Sequence, residues 1–401
     1  MLRRNNTLRR LADYVIERVF DAGVKHIYMV TGRGILYLSD AVARHEGMKG
    51  VCVHHEQSAS YAAYAYAKYS NNYGACLVST GCASTNTITG VLCAWQNNVP
   101  CIFISGQNTL GETSRYTGLP IRTYGSQEAD IISIVEPITK YAVMITDAND
   151  ICYELEKALY LSMTGRKGPV WLDIPIDIQN ARVDVNNLRH FIPESEDDYG
   201  EKKLEDDVSY VVDKLSTSKR PVVLIGEGVR LAGAVPQLAE LLKKHPIPLV
   251  YSPSAVDIIG SGESDNSIGA VGSLGGSRAA NFTLQNADYI LAIGSRLSTV
   301  LVGQPYDKFA REAEITVVDI DAVEHKKNII NIEKLIISDA KIFLEKINEQ
   351  NWMNTNLTWI DKCIHWKKIF PKCDPSYRDK DRVDLYYLGE ALSKLLDNDA
   401  V

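Results

Sequence analysis

Between residues 26 and 174 the chain carries five short apolar runs, HIYMV, GVCVH, ACLVS, CIFIS and PVWLDI. Each is bounded by glycine, proline or polar residues, and none alternates polar with apolar along its length. Such runs suit strands buried on both faces of a sheet. Helical signals lie beside them: Leu8, Leu11, Val15, Val19 and Phe20 form one stripe of residues 7–22. Strand and helix in alternation is the pattern of a parallel sheet covered by helices. Residues 1–185 are therefore expected to form a doubly wound α/β domain.

A second series opens at PVVLIGEGV. Strands are expected at 221–225, 247–251, 289–294 and 315–319, with helices at 232–244 and 278–287. Residues 204–350 thus read as a second doubly wound domain, Rossmann-like in pattern. The stretch 184–207 is polar, acidic and contains a proline; it is taken as a linker, with 186–203 as its bounds. Residues 351–382 are rich in Trp, Lys and Asp and show little clean periodicity, and the helical run LYYLGEALSKLL follows.

The 401 residues are too many for one ordinary core. A formal net charge of -7 argues against a nucleic-acid partner, which favours a basic surface. No apolar run approaches the ~20 residues that span a bilayer. Arg3, Arg4, Arg9 and Arg10 crowd the N-terminus, but no apolar stretch follows, so a helix is expected there and not a targeting signal. The eight cysteines include no CxxC pair, and Cys76, Cys93, Cys101 and Cys152 sit in apolar stretches. Buried thiols in a reducing cytoplasm are expected, and no metal-ligand set.

Three segments place polar groups where expected strands end. In HHEQSASYAAYAYAKYS, Glu56 opens an alanine-rich helix in which Ala59, Ala62 and Ala63 make a small-residue face. In VSTGCASTNTITG, Gly81 sits in a strand-to-helix turn. IFISGQ ends in Gly106 and Gln107. The carboxyl ends of strands are where open α/β sheets bind ligands. Singly, each has a plain structural explanation: a first-turn glutamate suits the helix dipole, and many turns need glycine.

Together, HEQSASYAAYAYA, STGCASTNTITGVLCAWQNNVPCIFISGQ, EPITKYAVMI and GPVWLDIPIDIQ, in that order, resemble acetolactate synthase and its thiamine-diphosphate relatives. The resemblance implies a pyrimidine-binding domain at 1–185 and a central domain at 204–350. It implies that Glu56 hydrogen-bonds N1′ of the aminopyrimidine, favouring the imino tautomer that takes the C2 proton of the thiazolium. It places Thr31, Gly32, Gly81, Cys82, Asn86, Gly106 and Gln107 around thiamine diphosphate, and Arg33 and Gln127 near the substrate, a small 2-keto acid. The Ala and Tyr residues near Glu56 suggest a partly apolar site that would favour the neutral acid.

The chain also departs from the family. Gly81-Cys82-Ala83 stands where relatives carry Gly-Pro-Gly, Thr31-Gly32-Arg33-Gly34 where acetolactate synthases carry Pro-Gly-Gly, and Ser126 where phenylalanine is usual. A carboxylate or phosphate of the substrate is a possible partner for Arg33. In the central domain, IGEGVRLAG supplies Gly226 and Gly228, a GxG turn without its third glycine. GAVGSLGGSRAANF, IGSRLS and VVDIDA, with Gly272, Gly275, Gly294, Arg296, Asp319 and Asp321, match the places where acetolactate-synthase-like enzymes hold FAD. FAD, or failing that ADP, is the expected ligand, the two aspartates accepting hydrogen bonds from its ribose.

The family holds Mg²⁺ and the diphosphate on a GDG motif followed by NN, and no GDG occurs here. DLYYLGEALSKLLDNDAV is similar to the lead-in of that third domain, with Ala400 and Val401 opening its first strand. Residues 351–401 are thus expected to be a linker and the start of a diphosphate-binding domain missing from the chain. The expected function is part of a thiamine-diphosphate-dependent lyase or carboligase, inactive alone, forming a homo-oligomer or pairing with a subunit that carries the diphosphate-binding half. The alternative is a non-catalytic or regulatory subunit that binds FAD or ADP. A nucleotide-dependent oxidoreductase rests only on the incomplete GxG.

Overall fold

The structure is a computed structural model that describes residues 7–193, 201–258, 266–353 and 357–397. The chain divides into two compact units, Met1–Glu196 and Asp197–Val401.

The first unit contains β1 (Leu8–Arg10), β2 (His26–Met29), β3 (Lys49–Cys52), β4 (Gly74–Val78), β5 (Cys101–Gln107), β6 (Tyr141–Met144), β7 (Val170–Pro175) and β8 (Arg182–Asp184). Six of them form a parallel sheet in the order β3-β2-β4-β5-β7-β6. Successive side chains of a strand point to opposite faces, and both faces here are apolar. Ile102 and Ile104 of β5 join Leu11, Val15 and Val19 of the helix Leu11–Asp21 in one core. Cys101 and Phe103 join Ala59, Ala63 and Ala67 of the helix Glu56–Ser70 in the other. The buried small-residue stripe of that helix is Ala59, Ala63 and Ala67, four residues apart, and Ala62 is only half-buried. Gly74 explains the need for small residues: a Cβ there would overlap the carbonyl of Ala63.

The second unit contains β9 (Pro221–Ile225), β10 (Leu249–Tyr251), β11 (Ser267–Ala270), β12 (Tyr289–Ile293), β13 (Glu314–Asp319) and β14 (Lys334–Ile337). They form a parallel sheet in the order β11-β10-β9-β12-β13-β14, the strand order of dinucleotide-binding folds. The two doubly wound sheets are thus as the sequence leads one to expect. Among the described residues no helix is long and apolar enough to cross a membrane.

The structure differs from the sequence reading at the linker. Residues 182–184 are β8, paired antiparallel with β1, and a helix begins at Glu201. Its Leu204, Val208, Val211 and Leu215 are buried at helical spacing, a narrow stripe hidden by acidic neighbours. Residues 357–369 also form a helix, whose Trp359, Ile360 and Cys363 are buried; Trp359 Nε1 donates to the Pro221 carbonyl at 3.1 Å. The helix expected from residue 232 begins at Val235, after Gly233 turns the chain at φ +67°. Ala400 and Val401 lie outside the described residues.

Candidate active site

In the first sheet the chain runs from β2 to β3 on one side and crosses to β4 on the other. The crevice at the carboxyl ends of β2 and β4 is therefore a switch point, where open sheets take ligands. A cavity of about 330 Å³ lies there. Thr31, Gly32, Arg33 and Gly34 reach it from the end of β2, Ser79, Thr80 and Cys82 from the end of β4, and Gln107 and Asn108 from the end of β5. Glu56, Asn86, Ser126 and Gln127 complete the polar lining.

Glu56 is the first residue of its helix. His55 caps that helix, its Nδ1 accepting the Gln57 N–H at 3.1 Å, which satisfies one of the donors a helix start leaves unpaired. The Glu56 carboxylate then sits in the cavity, where Asn86 Nδ2 donates to Oε2 at 2.9 Å. Asn86 follows the short helix Cys82–Thr85 directly. The expected apolar surroundings are not what the structure shows. Ala59, Ala63 and Ala67 of the helix face the core, and the cavity is lined mainly by hydroxyl and amide side chains.

Glycines let the cavity walls close on one another. Gly34 donates its N–H to Ser79 Oγ at 3.0 Å. A Cβ at Gly106 would overlap the Gly34 carbonyl, and one at Gly81 (φ +62°) the Gln127 carbonyl. Gly81 and Gly106 thus pack the loops that form the cavity and do not line it.

Gln107 is buried and its amide is committed to the fold. Nε2 donates to the Ala129 carbonyl at 3.0 Å and to Asp173 Oδ2 at 3.3 Å, and Oε1 accepts the Asn108 N–H at 3.1 Å. Asp173 lies behind it in β7. Burial pushes its carboxyl up to about 7, against the lowering effect of hydrogen bonds from Ser105 (2.6 Å) and Gln107. Trp171 Nε1 in turn donates to Ser105 Oγ at 2.8 Å. Sequence reading missed this buried network, although Asp173 within the apolar run PVWLDI was its signal. It also missed Ser79, Thr80 and Asn108. The Ser126 carbonyl accepts from Asn108 Nδ2 at 3.0 Å. Beside it, Glu128 takes the backbone N–H groups of Ser114 (2.7 Å) and Tyr124 (2.6 Å), fixing the loop that carries Gln127.

Glu56 is the one acid and Arg33 the one base in the lining, and Arg33 is exposed, with no ion-pair partner among the described residues. One carboxylate with neutral amides and hydroxyls suits a neutral heteroaromatic ring that offers hydrogen bonds. It does not suit Mg²⁺, whose octahedral shell needs several oxygens.

The second unit differs at its own switch point, between β9 and β12. The Gly226 N–H donates to the Ile293 carbonyl and the Gly228 N–H to the Gly294 carbonyl, both at 3.0 Å. Gly226, Gly228 and Gly294 lie backbone against backbone. Asp319 Oδ2 pairs with the buried His325 at 3.1 Å, and its Oδ1 accepts the Asp321 N–H. Asp321 Oδ1 accepts the N–H of Val323 at 2.8 Å. The Arg296 carbonyl accepts from Lys327. Gly272 (φ +131°) exchanges hydrogen bonds with the Asn281 side chain, and Gly275 (φ +78°) stands with open space beside it. The structure thus brings the first-unit residues together around one cavity and gives both aspartates internal partners.

Residues 9–134 match the thiamine pyrophosphate enzyme N-terminal TPP binding domain, and residues 208–347 match the central domain of the same enzymes. The chain belongs to the thiamine pyrophosphate (thiamine diphosphate) enzymes. Within that class it resembles acetolactate synthases. It is 33% identical over 363 residues to the acetolactate synthase large subunit of Lactococcus lactis, covering 89% of this chain and 60% of that protein. It is 32% identical over 386 residues to acetolactate synthase of Arthrospira platensis (92% and 60%). With the isozyme 3 large subunit of Escherichia coli it shares 31% over 344 residues (84% and 57%). The chain thus spans about 60% of the length of these relatives.

Proposed function

We propose that the first unit holds the aminopyrimidine of thiamine diphosphate in the cavity between β2 and β4, as one half of an acetolactate-synthase-like site acting on 2-keto acids. The observation that carries this reading is the Glu56 carboxylate, set in that cavity by a capped helix start and oriented by Asn86. When bound, the cofactor supplies the electron sink for decarboxylation and acyl transfer. Glu56 holds a proton at the ring nitrogen it faces. Asn86 fixes the carboxylate, and the hydroxyls of Ser79 and Thr80 with the Gly32–Gly34 backbone offer neutral hydrogen bonds around the ring. Arg33 takes the substrate carboxylate, and Gln127 a polar group of the acceptor. Ser126 leaves the wall beside them small.

The diphosphate and Mg²⁺ belong to a GDG-bearing domain in a partner or a further part of the protein. The designation of relatives as large subunits supports assembly of this chain with copies of itself or with another subunit. FAD or ADP in the second unit draws support from its strand order and from the open loop at Gly275. The internal pairing of Asp319 and Asp321 weighs against their holding a ribose. The decisive experiment combines the chain with a separately expressed diphosphate-binding domain of a relative and follows exchange of the cofactor C2 proton. Glu56→Gln is expected to slow exchange ~10²–10⁴-fold, the usual contribution of a positioned acid–base group. Unchanged exchange would overturn the assignment.

A further inference from the structure

A second constellation of chemically active side chains lies in the first unit, outside the cavity. Cys152 and Glu156 stand one turn apart on the helix Ile151–Met163, so both face the same way. His190 meets them from the segment that follows β8. Its Nδ1 lies 3.4 Å from Cys152 Sγ and 2.9 Å from Glu156 Oε1, and the three candidate ligand atoms are all within 4.8 Å of one another.

We propose that Cys152, Glu156 and His190 bind a zinc ion that clamps residues 188–191 to this helix. Tetrahedral zinc with bonds of about 2.3 Å to sulfur and about 2.0–2.1 Å to nitrogen and oxygen separates S from N by about 3.5 Å and N from O by about 3.3 Å. The Cys152–His190 separation of 3.4 Å is close to its edge, and the His190–Glu156 separation of 2.9 Å, a hydrogen bond without the ion, lengthens when the ion replaces the proton. The geometry also argues against a proton relay. A relay passes from nucleophile to carboxylate through the two different nitrogens of an imidazole. Here thiol and carboxylate both face Nδ1, as ligands converging on one point do.

The surroundings suit a metal. The Phe191 N–H donates to Glu156 Oε2 at 3.0 Å, which orients the carboxylate as outer-shell donors do. The Tyr14 hydroxyl lies beside Cys152. The Cys152 thiol is buried while His190 is 65% exposed, so an ion can enter from solvent and the fourth position is open to water. Thiolate and carboxylate supply two negative charges against the divalent ion. Among the described residues, Arg18, 3.5 Å from Glu156 Oε1, is the Lys or Arg side chain that competes for this carboxylate. On binding, the thiol proton passes to solvent and the thiolate pair bonds to the metal, so affinity must fall on acidification.

The test uses the full chain, stripped with a chelator and titrated with cobalt(II) as the spectroscopic probe for zinc. One equivalent is expected to give a thiolate-to-cobalt charge-transfer band with intense tetrahedral d–d bands, all bleached by added zinc. Cys152→Ser should abolish the charge-transfer band. Because His190 is exposed, His190→Ala leaves the fold intact, and it should weaken cobalt binding at least about tenfold. No uptake at equimolar metal, a band that persists in Cys152→Ser, or unchanged affinity in His190→Ala would each overturn the proposal.

Discussion

The two units place loops at equivalent switch points, yet one is open and the other shut. At the ends of β2 and β4 the loops part around about 330 Å³. At the ends of β9 and β12 three glycines bring the loops into backbone contact. A parallel sheet with reversing strand order therefore creates a place for a ligand, and the residues there decide whether space remains. In the first unit Gly106 and Gly81 close the outer walls, but side chains (Glu56, Asn86, Thr80) hold the middle. In the second unit Gly226 and Gly228 let the loop after β9 rest directly on the backbone of Gly294 and Ser295.

Mutations can break this contrast. The largest expected effect is that of Glu56→Gln in the reconstituted site, ~10²–10⁴-fold on C2 proton exchange. Its thermal midpoint should stay near that of the parent, since the carboxylate is half-buried and faces the cavity. A large loss of stability would mean that Glu56 holds the fold and not a ligand.

Gly226→Ala comes next. The added methyl would overlap the Gly294 carbonyl, a backbone atom that cannot turn aside. Overpacking of this kind costs ~1–3 kcal/mol, readable as a lower urea midpoint. At the open site, Gly32→Ala meets only the Ser79 side chain, and Gly32 has extended backbone (φ -176°). Its cost should be clearly smaller, and equal losses at the two glycines would erase the distinction.

Behind the open site, Asp173 should make stability depend on pH. Its folded pKa of about 7 lies above the unfolded 3.8, so the folded state binds the proton more tightly. The stabilisation is full below pH 3.8 and is lost as pH rises toward 7, at up to ~1.4 kcal/mol per pH unit. Asp173→Asn should flatten that slope across the same window in denaturation midpoints. A slope unchanged in the variant would show that other groups carry it.

The smallest signal concerns the open loop of the second unit, away from its closed switch point. If the Gly275 loop holds a flavin, the purified chain is yellow or becomes so with added FAD. A chain that stays colourless and takes up neither FAD nor ADP would show that its central domain is empty.

Most strands of both sheets were legible because buried parallel strands read as continuous apolar runs. The strands that escaped, β6, β11 and β14, are all edge strands of four residues. SIGA offers only one large apolar residue and KLII three, and YAVMI follows the EPIT turn with no glycine or proline on its far side. Glu56 and the glycine turns could be located because they follow legible strands, and Asn86 only through the family resemblance. The commitment of Gln107 to Asp173 could not, because it depends on β5 and β7 lying side by side, 66 residues apart. The same holds for Cys152 and His190, which no local spacing connects.

The ribbon of β1 and β8 has a topological consequence. Leu8 pairs with Asp184, and Arg10 with Arg182, so the first and last strands of the unit are hydrogen-bonded neighbours. The unit is nearly a closed ring of chain, with entrance and exit side by side. Domains with adjoining ends tolerate circular permutation. The order in which this unit's strands are synthesised can therefore be changed without changing which strands are neighbours in its sheet.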